Sequence, residues 1–185
     1  MNFWQKHKKK IVIAIIVIVT FLVMYFSVKA IRKAKAKRLA QEQKAKAEAD
    51  RTDPTKSTFV NEDGQLVSKE SDLSRQQSDA EIRKDPYYLK AYNSSEITAK
   101  AYTIDNAVGW FNDDEDGVYK ALNNLDRYTL LALQDYLANE YDMASLHMYL
   151  KGWMNDEEYN KAVNLMVKAR NDYSKNLSLT TVSVS

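Results

Sequence analysis

The sequence predicts an all-α protein: an N-terminal transmembrane helix, a basic helical stalk, a polar flexible linker and a compact five-helix domain. Three observations predict it. Residues 11–28 carry no charge. Residues 29–49 contain neither Gly nor Pro and are rich in Ala, Lys, Glu and Gln, which are strong helix formers. Residues 94–174 repeat apolar positions at three- and four-residue spacing, the period of one helix face. That last stretch also carries one phrase twice, Gly109-Trp110-Phe111-Asn112-Asp113-Asp114-Glu115 and Gly152-Trp153-Met154-Asn155-Asp156-Glu157-Glu158. Each phrase separates two helical patterns and ends in a helix-start signal.

The apolar run reads Ile-Val-Ile-Ala-Ile-Ile-Val-Ile-Val-Thr-Phe-Leu-Val-Met-Tyr-Phe-Ser-Val. Its 18 residues span about 27 Å as a helix, close to the roughly 30 Å hydrocarbon core of a bilayer. Phe3, Trp4, Tyr25 and Phe26 lie near its ends, where interfacial aromatic residues are expected. A cleaved signal peptide is the alternative reading. No small-x-small cleavage pattern follows the run directly, and strong basic charge does, so residues 1–28 read as a flank and a retained span. Six basic residues follow the span and four precede it. The positive-inside comparison is therefore nearly balanced, with a slight excess toward a cytoplasmic C-terminal side.

Charge is divided along the chain. Residues 1–50 hold 12 Lys and Arg against 3 Asp and Glu, and residues 86–185 hold 9 against 14. Lys8, Lys9, Lys10, Lys29, Arg32, Lys33, Lys35, Lys37 and Arg38 form a membrane-proximal basic set suited to anionic headgroups, or simply to stopping translocation. The acidic C-terminal region argues against nucleic acid as its ligand, because phosphate binding needs positive charge. The chain has no Cys, which excludes disulfides and thiolate zinc sites. The stalk, residues 29–50, shows no sustained heptad of large apolar residues, so a long coiled coil is not expected.

Asp53-Pro54 ends the stalk, since the residue before Pro is pushed away from the α region. Residues 51–90 read mostly as a polar tether. Within it, a short hairpin over 57–67 with Asp63-Gly64 at its turn and a weak helix over 68–84 are expected. Five helices then follow in residues 91–176: about 96–108 with Ser95 as a candidate cap, 113–124 capped by Asn112, 127–139 capped by Asp126, 143–151 capped by Asp142, and 156–173 capped by Asn155. Asn112 with Glu115 and Asn155 with Glu158 have capping-box spacing. Residues 177–185 read as a tail.

The helix order and loops of residues 96–168 resemble a single divergent annexin repeat. Ala107-Val108-Gly109-Trp110-Phe111-Asn112-Asp113-Asp114 is similar to that family's Met-Lys-Gly-x-Gly-Thr-Asp-Glu loop. Leu146-His147-Met148-Tyr149-Leu150-Lys151-Gly152 is similar to its Leu-x-x-x-Leu-x-x-Gly segment. The resemblance implies a calcium site using the carbonyls of Val108, Gly109 and Phe111 with Asp156 or Glu157. Phe111 stands where the family has its second loop glycine, and a Phe does not take positive φ cheaply. From local chemistry alone, the acids at 113–116 and 156–158 are first-turn residues that complement a helix dipole.

Trp110, Phe111, Trp153 and Met154 are the interface candidates, with packing over helix ends as the alternative. No Gly-x-Ser-x-Gly elbow, Walker loop or zinc-protease motif is present, so no catalytic residue is assigned and no cofactor other than calcium is implied. The expected function is that of a membrane-anchored, non-catalytic binding, scaffolding or structural protein. Its expected partners are the lipid bilayer and a protein or second copy, in a bacterial inner-membrane, phage or virion-type assembly. A calcium-dependent membrane-surface sensor and a small membrane-bound hydrolase are the alternatives.

Overall fold

The unbroken helix-forming composition from the apolar run through the Ala/Lys/Gln stalk leaves nothing to stop a helix before Asp53-Pro54. In the computed structural model, which describes residues 3–109 and 113–174 with side chains from residue 12 onward, α1 runs without interruption over Phe3–Thr52. Val12–Met24 is exposed along its whole length. The helix is long and apolar enough to cross a membrane.

The chain is mostly helical. After α1 come β1 (Thr58–Val60), β2 (Leu66–Ser68), α2 (Lys69–Ile82), α3 (Pro86–Tyr92), α4 (Ser95–Asn106), α5 (Glu115–Leu122), α6 (Arg127–Tyr141), α7 (Leu146–Lys151) and α8 (Asp156–Arg170). The strands pair antiparallel, with Phe59 opposite Val67. Gly64 turns the hairpin at φ 75°, a conformation that glycine adopts without Cβ strain.

Residues 51–90, expected as a flexible tether, are instead folded onto the rest. Phe59 is buried with the Arg51 guanidinium 5.6 Å from its ring centre. Ser68 caps α2 by accepting from the Ser71 N–H, and Asp85 caps α3 with Pro86 in its first turn. The polar composition of this segment is used in ion pairs that sequence alone does not reveal. Arg75 reaches Glu62 at 2.5 Å and Asp72 at 3.0 Å, and Arg51 reaches Asp72 at 2.9 Å and Glu62 at 3.1 Å. These contacts join the hairpin, α2 and the end of α1.

The five expected C-terminal helices appear as α4–α8, with three differences at their starts. Ser94, not Ser95, caps α4. Asn112 lies outside the described residues, and Asp114 caps α5 by accepting from the Gly117 N–H at 2.9 Å. Asp142 does not cap α7: α6 continues to Tyr141, Asp142 ends it in the left-handed conformation at φ 54°, and Ser145 caps α7. Asp and Asn tolerate that conformation better than other side chains. Asp126 and Asn155 cap α6 and α8 with complete capping boxes. Ile97, Ala101 and Ile104 of α4, Val118 and Leu122 of α5, Leu130, Leu133 and Leu137 of α6, Leu150 of α7 and Met166 of α8 meet in one core.

Candidate functional site

Helical periodicity assigns the basic residues of α1 to two faces. Lys29, Arg32, Lys33, Ala36, Lys37, Ala40, Gln43 and Ala47 recur at three- and four-residue steps, and all are buried or half-buried. Ala30, Ile31, Ala34, Lys35 and Arg38 lie opposite and are exposed. The first face is a seam along which α7, the hairpin and the C-terminal ends of α4 and α6 dock.

The seam is laddered with charge. The Lys29 ammonium donates to the Asn106 carbonyl at 3.4 Å. Arg32 grips Asp113 with two parallel bonds, Nη1 to Oδ1 at 3.0 Å and Nη2 to Oδ2 at 2.7 Å, while Nη1 also donates to the Gly109 carbonyl at 2.7 Å. Asp113 in turn accepts from the Gly109 N–H at 2.7 Å. Lys33 pairs with buried Asp105, and Lys37 donates to the Tyr141 carbonyl. Gln41 reaches Asp142 at 2.9 Å and Gln43 the Asn61 carbonyl at 3.0 Å. Charge-assisted and bidentate bonds of this kind are stronger and more directional than neutral ones.

Between these rungs the backbones come close. A Cβ added to Gly152 would lie 2.9 Å from the Cβ of Ala36 and 3.0 Å from its Cα, so a side chain at 152 has no room. The two copies of the repeated phrase thus share one role: Gly109 supplies the carbonyl and N–H that Arg32 and Asp113 bind, and Gly152 lets α7 meet α1 at Ala36, one helical turn farther along.

Of the predicted interface residues, Trp110 and Phe111 lie outside the described residues. Met154 is buried in the core, and Trp153 packs half-buried against it. Their surroundings are internal to the chain. The basic set divides: Lys29, Arg32, Lys33 and Lys37 are engaged in the seam, Lys35 and Arg38 face outward, and the side chains of Lys8, Lys9 and Lys10 lie outside the described set. Among the calcium candidates, the Gly109 carbonyl already serves Arg32, and Asp156 and Glu157 are exposed first-turn residues of α8. Among the described residues no group of three or more His, Asp or Glu is placed to hold a metal ion.

No family model, no curated protein and no solved structure matches this chain. Any functional reading therefore stands on the geometry.

A polar cavity of about 370 Å³ opens between α2, α6 and the α6–α7 connection, lined by Lys44, Glu62, Arg75, Arg83, Asp135 and Ser145 among others. Its carboxylates are held by guanidinium groups: Arg83 grips Asp135 at 2.7 and 2.9 Å, and Arg75 grips Glu62. The Ser145 hydroxyl accepts from the Met148 N–H. Arg75 holds the Glu62 carboxyl below the usual range against the opposing effect of its burial. These groups act as structural ion pairs and a helix cap.

His147 is buried, its Nδ1 3.5 Å from the Tyr159 hydroxyl. Burial pushes its pKa below 6.5; Arg170 and Arg75 add to this and Asp63 opposes it. The folded chain thus resists a proton that the unfolded chain accepts near pH 6.5. Stability from this group is complete above that pH and is lost as pH falls from 6.5 toward the lower folded value. The melting temperature is expected to drop between pH 7 and pH 5.5, and less so in His147→Asn. Parallel pH profiles for the two proteins would show that His147 is not responsible.

Proposed function

We propose that the chain is a single-pass membrane protein that holds a non-catalytic helical module for binding or scaffolding at a fixed attitude to the bilayer. The observation that supports this reading most directly is the seam. The apolar helix and the docking helix are one element, and charged contacts along it leave the module no free tether. A flexible tether lets a domain search a volume and raises effective concentration; a rigid mount instead presents one surface in one direction. Rigid elements position a binding face better than loops do.

The surface so presented includes Leu89 at 50 % and Tyr102 at 62 % exposure, beside a row of half-buried tyrosines in which Tyr92 and Tyr136 stand 5.6 Å apart. Tyrosine is a frequent anchor in protein interfaces. Photo-crosslinking residues placed at 89 and 102 of the full chain, expressed in a cell membrane, are expected to give discrete adducts with a protein partner or a second copy. A folded, membrane-inserted chain that gives no adduct at either position would overturn the binding reading.

Calcium tests the annexin-type alternative. With the Gly109 carbonyl and Asp113 occupied by Arg32, millimolar calcium is expected to leave the melting temperature where equimolar magnesium leaves it. A calcium-specific rise, abolished by Asp156→Asn with Glu157→Gln, would favour the alternative through preferential binding to the folded state.

A further inference from the structure

The apolar run of α1 is exposed from Val12 to Met24, but Tyr25 and Val28 are half-buried. The folded module therefore reaches back over the last turn of the run. Lys29, the first residue beyond it, donates to the carbonyl of Asn106 at the C-terminal end of α4. Arg32, four residues beyond Val28, holds Gly109 and Asp113.

Distances along the helix decide what this means if residues 11–28 span the bilayer, as the proposed function requires. Four residues advance about 6 Å along α1. The polar layer on each side of the hydrocarbon is about 5–7 Å thick, from a total of about 40–45 Å around a core of about 30 Å. Asn106, Gly109 and Asp113 therefore lie at headgroup depth, not beyond it. At the other end, Arg51 binds Asp72, and 23 residues separate Arg51 from Val28, about 35 Å of helix. The contacts at Lys33, Ala36, Lys37, Gln41 and Gln43 fall between these two ends in order, so the module stands along α1 and cannot swing its near end away while the ladder holds.

We propose that the C-terminal module rests on the membrane surface, with the end of α4 and residues 107–109 and 113 set among the phospholipid headgroups. The bilayer is then a partner of the folded module as well as the solvent of its anchor. Lys29, Arg32 and Lys33 act in this contact by holding the module's carbonyls and carboxylates at that depth. Their charge is largely answered within the chain, by Asp105 and Asp113, so the contact does not depend on anionic lipid.

The absence of Cys makes single-site labelling clean. Nitroxides are placed on the full chain by Val17→Cys, Asn106→Cys and Leu73→Cys, each in phosphatidylcholine nanodiscs with and without a gadolinium-chelating headgroup lipid. Among the described residues Asn106 bonds through its side chain to the Tyr102 carbonyl of its own helix, and Leu73 is 56 % exposed beside Asp72. The label at 17 should show the oxygen accessibility and nickel-chelate protection of hydrocarbon. The label at 106 should lose most of its signal to gadolinium, and the label at 73 should keep its signal. Equal survival at 106 and 73, with 17 in hydrocarbon, would overturn the headgroup contact and leave the span intact. A label at 17 that is open to the nickel chelate would overturn the span, and this proposal with it.

Discussion

Replacing Arg75 with Met is expected to destabilise the folded chain by about 3 kcal/mol, the lower end of the range for removing one partner from a buried ion cluster. Arg75 contacts Glu62, Asp63 and Asp72 together. The Asp72 side chain is 1 % exposed. Without Arg75 it keeps Arg51 and Gln76, at 2.9 and 2.7 Å, but Glu62 loses its shortest cation contact and Asp63 is left with Arg170 at 3.4 Å. The cost arises mainly from carboxylates left buried and underpaired, not from lost attraction. The loss should appear as a lower denaturant midpoint with local loosening of the hairpin and α2. It should also be partly relieved by adding Glu62→Gln, because the pair acts as a unit. An additive double variant would show that the two residues are not coupled.

The glycine at 152 should be nearly as sensitive. Gly152→Leu forces atoms into a gap where even a Cβ would meet Ala36 at 2.9 Å, and overpacking of this kind costs about 1–3 kcal/mol. The backbone at Gly152 has φ −68° and ψ −15°, ordinary helical values, so the penalty comes from crowding and not from backbone strain. The strain should be relieved by separating α7 from α1, seen as a longer distance between spin labels on the two helices and a lower melting temperature. Ala34→Leu, on the exposed face of the same helix, is the control and should change neither. An unchanged distance and melting temperature in Gly152→Leu would mean that α7 does not pack on α1 as described.

Much of the local structure was legible in the sequence, for reasons that are themselves local. The uncharged run, the Gly- and Pro-free stalk and the apolar stripes of α4–α8 are properties of neighbouring residues. Asp126 and Asn155 announce their helices because a capping box is completed within four residues. The turn at Gly64 follows from the one residue type that takes φ 75° freely.

What the tertiary structure alone decided is where polar and small residues are spent. The stalk has just two large apolar residues, Ile31 and Leu39, and so looks solvated, but its seam is built from Ala36, Ala40 and Ala47 together with Lys29, Arg32, Lys33 and Lys37. Small side chains permit close backbone approach, and the partners of Arg32, Lys33, Ala36 and Lys37 lie more than 70 residues away in sequence. The same holds for residues 51–90, whose Ser-, Asp- and Gln-rich composition resembles a tether until Arg51 and Arg75 are brought to Glu62 and Asp72. The burial of His147 is likewise tertiary, since it depends on what α8 lays beside it. Sequence by itself determined the five C-terminal helices, the caps at Asp126 and Asn155, and an apolar span. The fold determined that one face of the basic segment is a docking seam, because charge pairing and close packing between distant residues are properties of space and not of order along the chain.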